Sequence, residues 1–139
     1  MRCLVLDGSA ALAFVLRDER VTAGARAVRA ALEEAERILV PGHWWLEVVN
    51  GIVVAERRKR LTAAAGMEII KIFRELDVEV DAEPAADVVE RVASLAREKN
   101  LSAYDAAYLE LAVRNGVALA SQDKALLGAA ASFGVKTLG

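Results

Sequence analysis

The stretch CLVLDGSAAL, residues 3–12, decides which fold the rest of the sequence can adopt. Its first four residues are apolar without alternation, which is typical of a strand that is buried on both faces of a sheet. The residues that follow Asp7 favour a helix. A buried strand that leads directly into a helix predicts a mostly parallel sheet with helices packed against it.

Further apolar runs follow at intervals along the chain, separated by helical segments. They are ILV at 38–40, VEV at 78–80, GVALA at 116–120 and GVKTL at 134–138. This alternation predicts the α/β class: a three-layer α/β/α sandwich with a central, mostly parallel sheet of four or five strands. The length of 139 residues, without a repeat or a linker, predicts a single domain over residues 1–139.

Two of the helices carry apolar residues whose spacing predicts a buried face. In the segment that begins at His43 we expect Leu46, Val49, Val53 and Val54 to lie on one side. In LSAYDAAYLELA, residues 101–112, we expect Tyr104 and Tyr108 to belong to the core. Another helix is predicted to start near Pro84, since proline is tolerated in a first helical turn.

Composition and cysteine content narrow the cellular setting. Hydrophobic residues make up 55% of the chain, which argues against disorder. Cys3 is the sole cysteine and has no partner for a disulfide, so we expect a reducing cytoplasm. The opening MRCLVLDG is too soon acidic for a signal peptide, and no apolar run approaches the length of a membrane span.

The charge balance and the histidine content exclude some kinds of chemistry. The formal net charge is -2, whereas proteins that hold nucleic acid only by neutralising phosphates have a basic surplus. Binding of nucleic acid would therefore have to be local or use a bound cation. The only histidine is His43, which excludes metal sites built from several imidazoles and catalysis by a histidine pair.

Four acidic residues are expected at the same edge of the predicted sheet. Asp7 directly follows the first strand and Asp123 comes soon after the run ending at Ala120. Glu47 and Asp105 lie in the first turns of two predicted helices. Because ligands of open parallel sheets bind beyond the carboxyl ends of the strands, we expect these carboxylates to converge there.

Each of the four acids also has a purely structural explanation. Asp7 and Asp123 are suitable N-caps, Ser102 and Asp105 match a capping box, and Glu47 suits the start of a helix. Together, however, clustered carboxylates repel one another unless a cation lies between them. A cluster of oxygen ligands predicts a hard cation, Mg²⁺ or Mn²⁺.

The sequence resembles the PIN-domain nucleases, and more narrowly the VapC-like toxins of type II toxin–antitoxin pairs. The resemblance rests on four segments in order, CLVLDGSAAL, LEVVNGI, LSAYDAAYLELA and ALASQDKALL. It implies a Mg²⁺- or Mn²⁺-dependent endoribonuclease in which Asp7, Glu47, Asp105 and Asp123 are the catalytic and metal-binding acids. Gly8 and Gln122 are mild departures from the family pattern, and neither removes a candidate ligand.

The same resemblance implies further roles and partners. Ser9, Asn50 and Ser121 match positions that orient the carboxylates or contact phosphate, although threonine is more usual at the last of these. The expected partners are an RNA substrate and a cognate antitoxin, with the protein itself a cytoplasmic homodimer. The basic run ERRKR, residues 56–60, is either a solvated helix end or a contact for RNA phosphates.

Alternative functions remain open from the sequence. The chain could be a stand-alone PIN-domain RNA-processing nuclease without an antitoxin. It could also be a phosphoacceptor α/β module with Asp81 as acceptor, although the paired acid of such modules is missing after Asp7. A binding-only relative without turnover is disfavoured, because all four acids are present.

Overall fold

A five-stranded parallel sheet forms the centre of the computed structural model, which describes residues 2–16, 22–81 and 85–139. The strands are β1 (Cys3–Leu6), β2 (Arg37–Val40), β3 (Glu79–Val80), β4 (Ala118–Ala120) and β5 (Thr137–Leu138). Their order is β3-β2-β1-β4-β5, and every neighbouring pair is parallel. The predicted α/β class and the parallel sheet are confirmed.

Helices connect the strands in the described part of the chain. They are α1 (Gly8–Val15), α2 (Ala23–Glu34), α3 (Trp44–Arg57), α4 (Ala63–Glu75), α5 (Ala86–Lys99), α6 (Ala103–Asn115) and α7 (Lys124–Ser132). Thr22, Thr62 and Ser102 cap α2, α4 and α6, because each side-chain oxygen accepts a hydrogen bond from a backbone N–H three residues on. Pro84 lies outside the described residues, and α5 is described from Ala86.

The core is built around β1, the central strand. Val5 and Leu6 are fully buried, as expected for a strand between two neighbours. α1 packs against α2 and α3, and α3 against α4, while α6 packs against α5 and α7. From β1 the chain moves outward to β2 and β3, and it then crosses the sheet to β4 on the other side of β1. Because crossovers between parallel strands are right-handed, α1 to α4 lie on one face of the sheet and α5 to α7 on the other.

The predicted buried face of α3 is wrong. The buried residues are Trp44, Val48, Ile52 and Ala55, whereas the Leu46 side chain is 74% exposed. Val49 is also exposed. Nine of the fourteen residues of this helix are apolar and they cover more than one face, so the sequence does not reveal which face meets the sheet.

The prediction for the two tyrosines of α6 holds for one of them. Tyr108 is fully buried, but Tyr104 is 65% exposed. The buried residues of α6 begin at Ala106, so the first turn, with Tyr104, stands outside the core.

Among the described residues, no helix combines the length and the apolar character needed to cross a membrane.

Candidate functional site at the carboxyl edge of the sheet

Asp7 is the most deeply buried of the four acids, with 3% of its surface exposed. It directly follows β1 and caps α1, since its Oδ1 accepts a hydrogen bond from the Ala10 N–H at 2.8 Å. Its own N–H donates to the Ala120 carbonyl at 3.0 Å, which ties it to the end of β4. Burial raises the pKa of Asp7, against the opposing effect of hydrogen bonds from Ser121, Ala10 and Ser9.

Two serine hydroxyls hold the Asp7 carboxylate between the ends of β1 and β4. Ser121 Oγ donates to Oδ2 at 2.5 Å, and Ser9 Oγ donates to Oδ1 at 2.7 Å. The same oxygens accept backbone hydrogen bonds, Ser121 Oγ from Asp123 at 2.9 Å and Ser9 Oγ from Gln122 at 2.9 Å. The register that aligns Leu6 with Ala120 explains why these residues meet. Ser9 and Ser121 therefore fix both Asp7 and the backbone that leads to Asp123.

Glu47 reaches the same edge from the first turn of α3. Its Oε2 accepts a hydrogen bond from the Tyr108 hydroxyl at 2.7 Å. Its Oε1 lies 3.4 Å from His43 Nε2, a contact that is not aligned as a hydrogen bond. Burial alone would raise the pKa of Glu47, but the contacts with His43 and Tyr108 outweigh it and lower the pKa.

Asp105 and Asp123 complete the acidic cluster. Asp105 lies in the first turn of α6, where its backbone N–H donates to Ser102 Oγ at 3.1 Å. Burial raises the pKa of Asp105, and the negative charges of Asp123 and Glu47 raise it further. Asp123 caps α7 through a hydrogen bond from the Leu126 N–H to Oδ1 at 3.1 Å.

The structure links the four predicted acids in a series of pairwise electrostatic interactions. Asp7 is influenced by the charge of Glu47, and Asp105 by the charges of Glu47 and Asp123. Only one half of the predicted capping box is present at Asp105, the bond from its backbone N–H. Its carboxylate also interacts with the Ser102 hydroxyl and with the charge of His43, and both interactions oppose the rise of its pKa.

Two other candidates lie apart from this cluster. Asn50 is exposed on α3, one turn after Glu47, and makes no hydrogen bond to the acids within the described ranges. Asp81 follows the edge strand β3, and its Oδ2 accepts a hydrogen bond from Arg114 Nη2 at 2.7 Å. Its carboxylate is therefore paired with a guanidinium, which argues against Asp81 as a phosphoacceptor.

The chemistry of the cluster suits a hard divalent cation, although its arrangement is not that of a closed metal site. No three Asp, Glu, His or Cys side chains of the described residues are grouped closely enough to hold a metal ion. Asp7 and Glu47 are each held by their own hydrogen bonds instead. The available ligands are carboxylate and hydroxyl oxygens. Burial raises the pKa of Asp105 most, and the negative charges of Asp123 and Glu47, which a cation would neutralise, raise it further.

Sequence reasoning missed three residues that shape the surroundings of Glu47. Tyr108 was expected in the core and Gly8 was a mild departure from the family pattern, and neither of them, nor His43, was expected to contact Glu47. A Cβ atom at position 8 would lie 2.8 Å from Glu47 Oε2, so the glycine leaves room for this carboxylate. The one available signal was that Tyr108 follows Asp105 by three residues and so shares its helix face.

Fold and site together define a parallel α/β domain with an acidic cluster at the carboxyl ends of its strands. The sequence model of the PIN domain family matches residues 4–131. The chain belongs to the PIN domain family. Ribonuclease VapC9 of Mycobacterium tuberculosis is 37% identical to the chain over 120 residues, which is 86% of this chain and 85% of the relative.

Solved structures show the same fold. PAE2754 from Pyrobaculum aerophilum superposes with a TM-score of 0.72 and 22% identity, over 96% of this chain and 82% of that protein. VapC20 of Mycobacterium tuberculosis, described as a toxin that cleaves the sarcin–ricin loop, has a TM-score of 0.60 and 19% identity. That match covers 91% of this chain and 94% of VapC20. At these identities the likeness concerns the fold alone.

Proposed function

We propose that this chain is a Mg²⁺- or Mn²⁺-dependent endoribonuclease of the VapC type, the toxin of a toxin–antitoxin pair. The similarity to a relative named ribonuclease VapC9, over most of both chains, supports the activity. The observation that carries the proposal is that four carboxylates from four separate parts of the chain interact electrostatically in series, Asp7 with Glu47, Glu47 with Asp105, and Asp105 with Asp123. Such clustering is costly for stability unless it serves a ligand.

The residues of the cluster have distinct tasks in this proposal. Asp7, Asp105 and Asp123 would hold the cation, with Glu47 as a further ligand or as the group that orients the attacking water. A bound divalent cation supplies a water of lowered pKa and neutralises negative charge on the phosphate. Glu47 is kept ionised by its contacts with Tyr108 and His43, which suits a group that accepts a proton or a hydrogen bond from water.

Supporting residues give this cluster its rigidity. Ser9 and Ser121 fix the orientation of the Asp7 carboxylate, and a ligand that is oriented in advance loses less entropy on binding. Asn50, exposed beside Glu47 on the next turn of α3, would contact substrate phosphate rather than the acids. The exposed Arg57 and Arg58 at the end of α3 offer further phosphate contacts.

An antitoxin and a second copy of the chain are the proposed protein partners. Leu46 on α3 and Met67 on α4 are large apolar side chains that stand exposed on two helices that pack together. Exposed apolar groups of this kind are typical of interaction surfaces. The proposed cleavage of cellular RNA implies a cytoplasmic protein. The free thiol of Cys3 agrees with this location, because the cytoplasm is reducing. A stand-alone nuclease is the second candidate, distinguished by the absence of an antitoxin.

Replacement of the acids by their amides tests the proposal. Asp7→Asn and Asp105→Asn should each abolish Mg²⁺-dependent cleavage of single-stranded RNA, because asparagine keeps the shape but loses the charge. Asparagine is also a good N-cap, so α1 should survive the change at Asp7. Asp77→Asn is the matched control: Asp77 is exposed at a φ of 52°, a conformation that asparagine also tolerates. Full activity in either amide variant would refute the assignment.

A further inference from the structure

We propose that Tyr108 is a positioning residue for RNA cleavage, whose hydroxyl holds the Glu47 carboxylate in its working orientation. The inference rests on the proposed function and deepens it. In the sequence, only its position three residues after Asp105 sets Tyr108 apart from the other buried residues of α6. The Tyr108 hydroxyl distinguishes this residue, because it is the part of the side chain that extends from the core to the acidic cluster.

The hydrogen bond between Tyr108 and Glu47 is short and partly buried. The hydroxyl donates to Oε2 at 2.7 Å, a distance typical of hydrogen bonds to charged oxygens. Tyr108 is fully buried, so its ring has little freedom to carry the hydroxyl elsewhere. The ring also meets the His43 ring edge-on, with centroids 5.0 Å apart. The donor is therefore fixed in place before any substrate arrives.

Gly8 confines the same carboxylate from another element. A Cβ atom at this position would lie 2.8 Å from Oε2 and 3.1 Å from the Cβ of Glu47. The Glu47 side chain therefore lies against the first turn of α1, with the Tyr108 hydroxyl as its hydrogen-bond donor. Three helices, α1, α3 and α6, thus determine the conformation of one side chain.

This arrangement leaves the two oxygens of Glu47 in different situations. Within the described part of the chain, Tyr108 engages Oε2, while Oε1 has only the poorly aligned His43 Nε2 at 3.4 Å. Oε1 is therefore the oxygen with capacity left for water or a cation. Without the Tyr108 hydroxyl, the carboxylate would be free to rotate and to exchange the roles of its two oxygens. Groups that orient catalytic residues in this way typically contribute about 10- to 100-fold to activity.

Tyr108→Phe removes only the hydroxyl and keeps the buried ring. We expect kcat for RNA cleavage to fall roughly 10- to 100-fold with little change in KM, because Glu47 acts on the reaction rather than on RNA affinity. Tyr104→Phe is the matched control, since it makes the same change one turn earlier at an exposed hydroxyl without a hydrogen bond to Glu47. That variant should keep the wild-type kcat.

A double-mutant cycle shows whether Tyr108 acts through Glu47. In a Glu47→Ala background, Tyr108→Phe should cause no further loss of kcat, because no carboxylate is left to hold. The melting temperature in EDTA gives a readout that does not need activity. The decrease caused by Tyr108→Phe should be larger in the wild-type background than in the Glu47→Ala background.

The outcomes separate this inference from the proposed function. A wild-type kcat in Tyr108→Phe, beside an inactive Asp7→Asn, overturns the positioning role alone. An equal loss of kcat in both backgrounds overturns it too, since the effect would then be general. If the wild-type protein cleaves no RNA with Mg²⁺ or Mn²⁺, the proposed function fails and the positioning role falls with it.

Discussion

Asp105→Asn should make the metal-free protein more stable while it destroys activity. The Asp105 carboxylate lies near the like charges of Asp123 and Glu47, which raise its pKa along with burial. The amide removes that repulsion. The hydrogen bond to the Ser102 hydroxyl comes from the backbone N–H of Asp105, so the cap of α6 is kept. The lost interactions of the carboxylate with the Ser102 hydroxyl and with His43 are smaller, opposing effects.

The expected gain follows from Coulomb's law. At a separation of about 6–8 Å and an effective dielectric constant of about 40–80, each like charge costs about 0.5–1.4 kcal/mol. Because Asp105 is only partly buried, solvent screening reduces the sum for the two neighbours to about 1 kcal/mol. For a chain of this length, that corresponds to an increase in melting temperature of about 3–4 °C.

The pH dependence of the gain has a definite sign. A carboxyl whose folded-state pKa lies above its ordinary value of 3.8 binds more protons when folded. The wild-type protein therefore loses stability as the pH rises from 3.8 through the raised pKa, and the asparagine variant does not. The difference in the free energy of unfolding should be present at pH 7, vanish near pH 3 and shrink in high salt.

Thermal melts of both proteins, in EDTA and in Mg²⁺, check this reasoning. In EDTA at pH 7 the variant should melt higher. At about 100 times its dissociation constant, Mg²⁺ adds about 2.7 kcal/mol to a protein with an intact site, so the wild type should then melt higher. A variant that is less stable than the wild type in EDTA, or whose gain persists at pH 3, would contradict the electrostatic argument.

Three further predictions concern stability. Glu110→Gln should lower the free energy of unfolding by about 2–4 kcal/mol in denaturant titrations, because Glu110 is 3% exposed and accepts hydrogen bonds from two arginines of α5 and α6. A change below about 0.5 kcal/mol is the size expected of a surface site and would contradict this burial. Leu126→Ala, at a fully buried position, should cost about 2–5 kcal/mol, whereas Leu46→Ala should cost less than about 0.5 kcal/mol. Equal losses of stability in the two variants would mean that Leu46 is buried, and that α3 presents to the core the face expected from the sequence. Thr62→Ala should cost about 1 kcal/mol through loss of the α4 cap, and an unchanged melting temperature would show that the cap contributes nothing.

Local patterns predicted β1, β2 and β4 because each contains an unbroken apolar run, whereas the segments VEV and GVKTL, which hold β3 and β5, each include a charged residue. β1 and β4 are buried on both faces, so continuous hydrophobicity is itself the signal, and their parallel pairing follows from the helices between them. The same rule failed within α3, where apolar residues cover more than one face and the spacing does not identify the buried one. Tyr104 was misplaced for a related reason, since it shares the stripe of Tyr108 but precedes the buried part of α6.

The candidate acids could be named from the sequence, but their environments could not. Asp7, Glu47 and Asp123 stand at helix starts after strands, and Asp105 stands at the start of the helix that leads into β4. All four positions belong to the edge where the parallel strands end, so convergence follows from topology. Which hydroxyl meets which oxygen depends on register: Leu6 opposite Ala120 brings Ser121 to Asp7. Such a contact joins residues 114 positions apart, and no local spacing encodes it.

The sequence by itself determined the parallel α/β class and the set of acidic residues, because burial and charge are properties of short segments. Only the tertiary structure decided that Tyr108 donates to Glu47, that Gly8 leaves room for this carboxylate and that Arg114 takes Asp81 out of the candidate set. Each of these three contacts depends on how helices and strands that are distant in the chain pack together. A shift of one helix by about one turn would give each of these side chains a different partner.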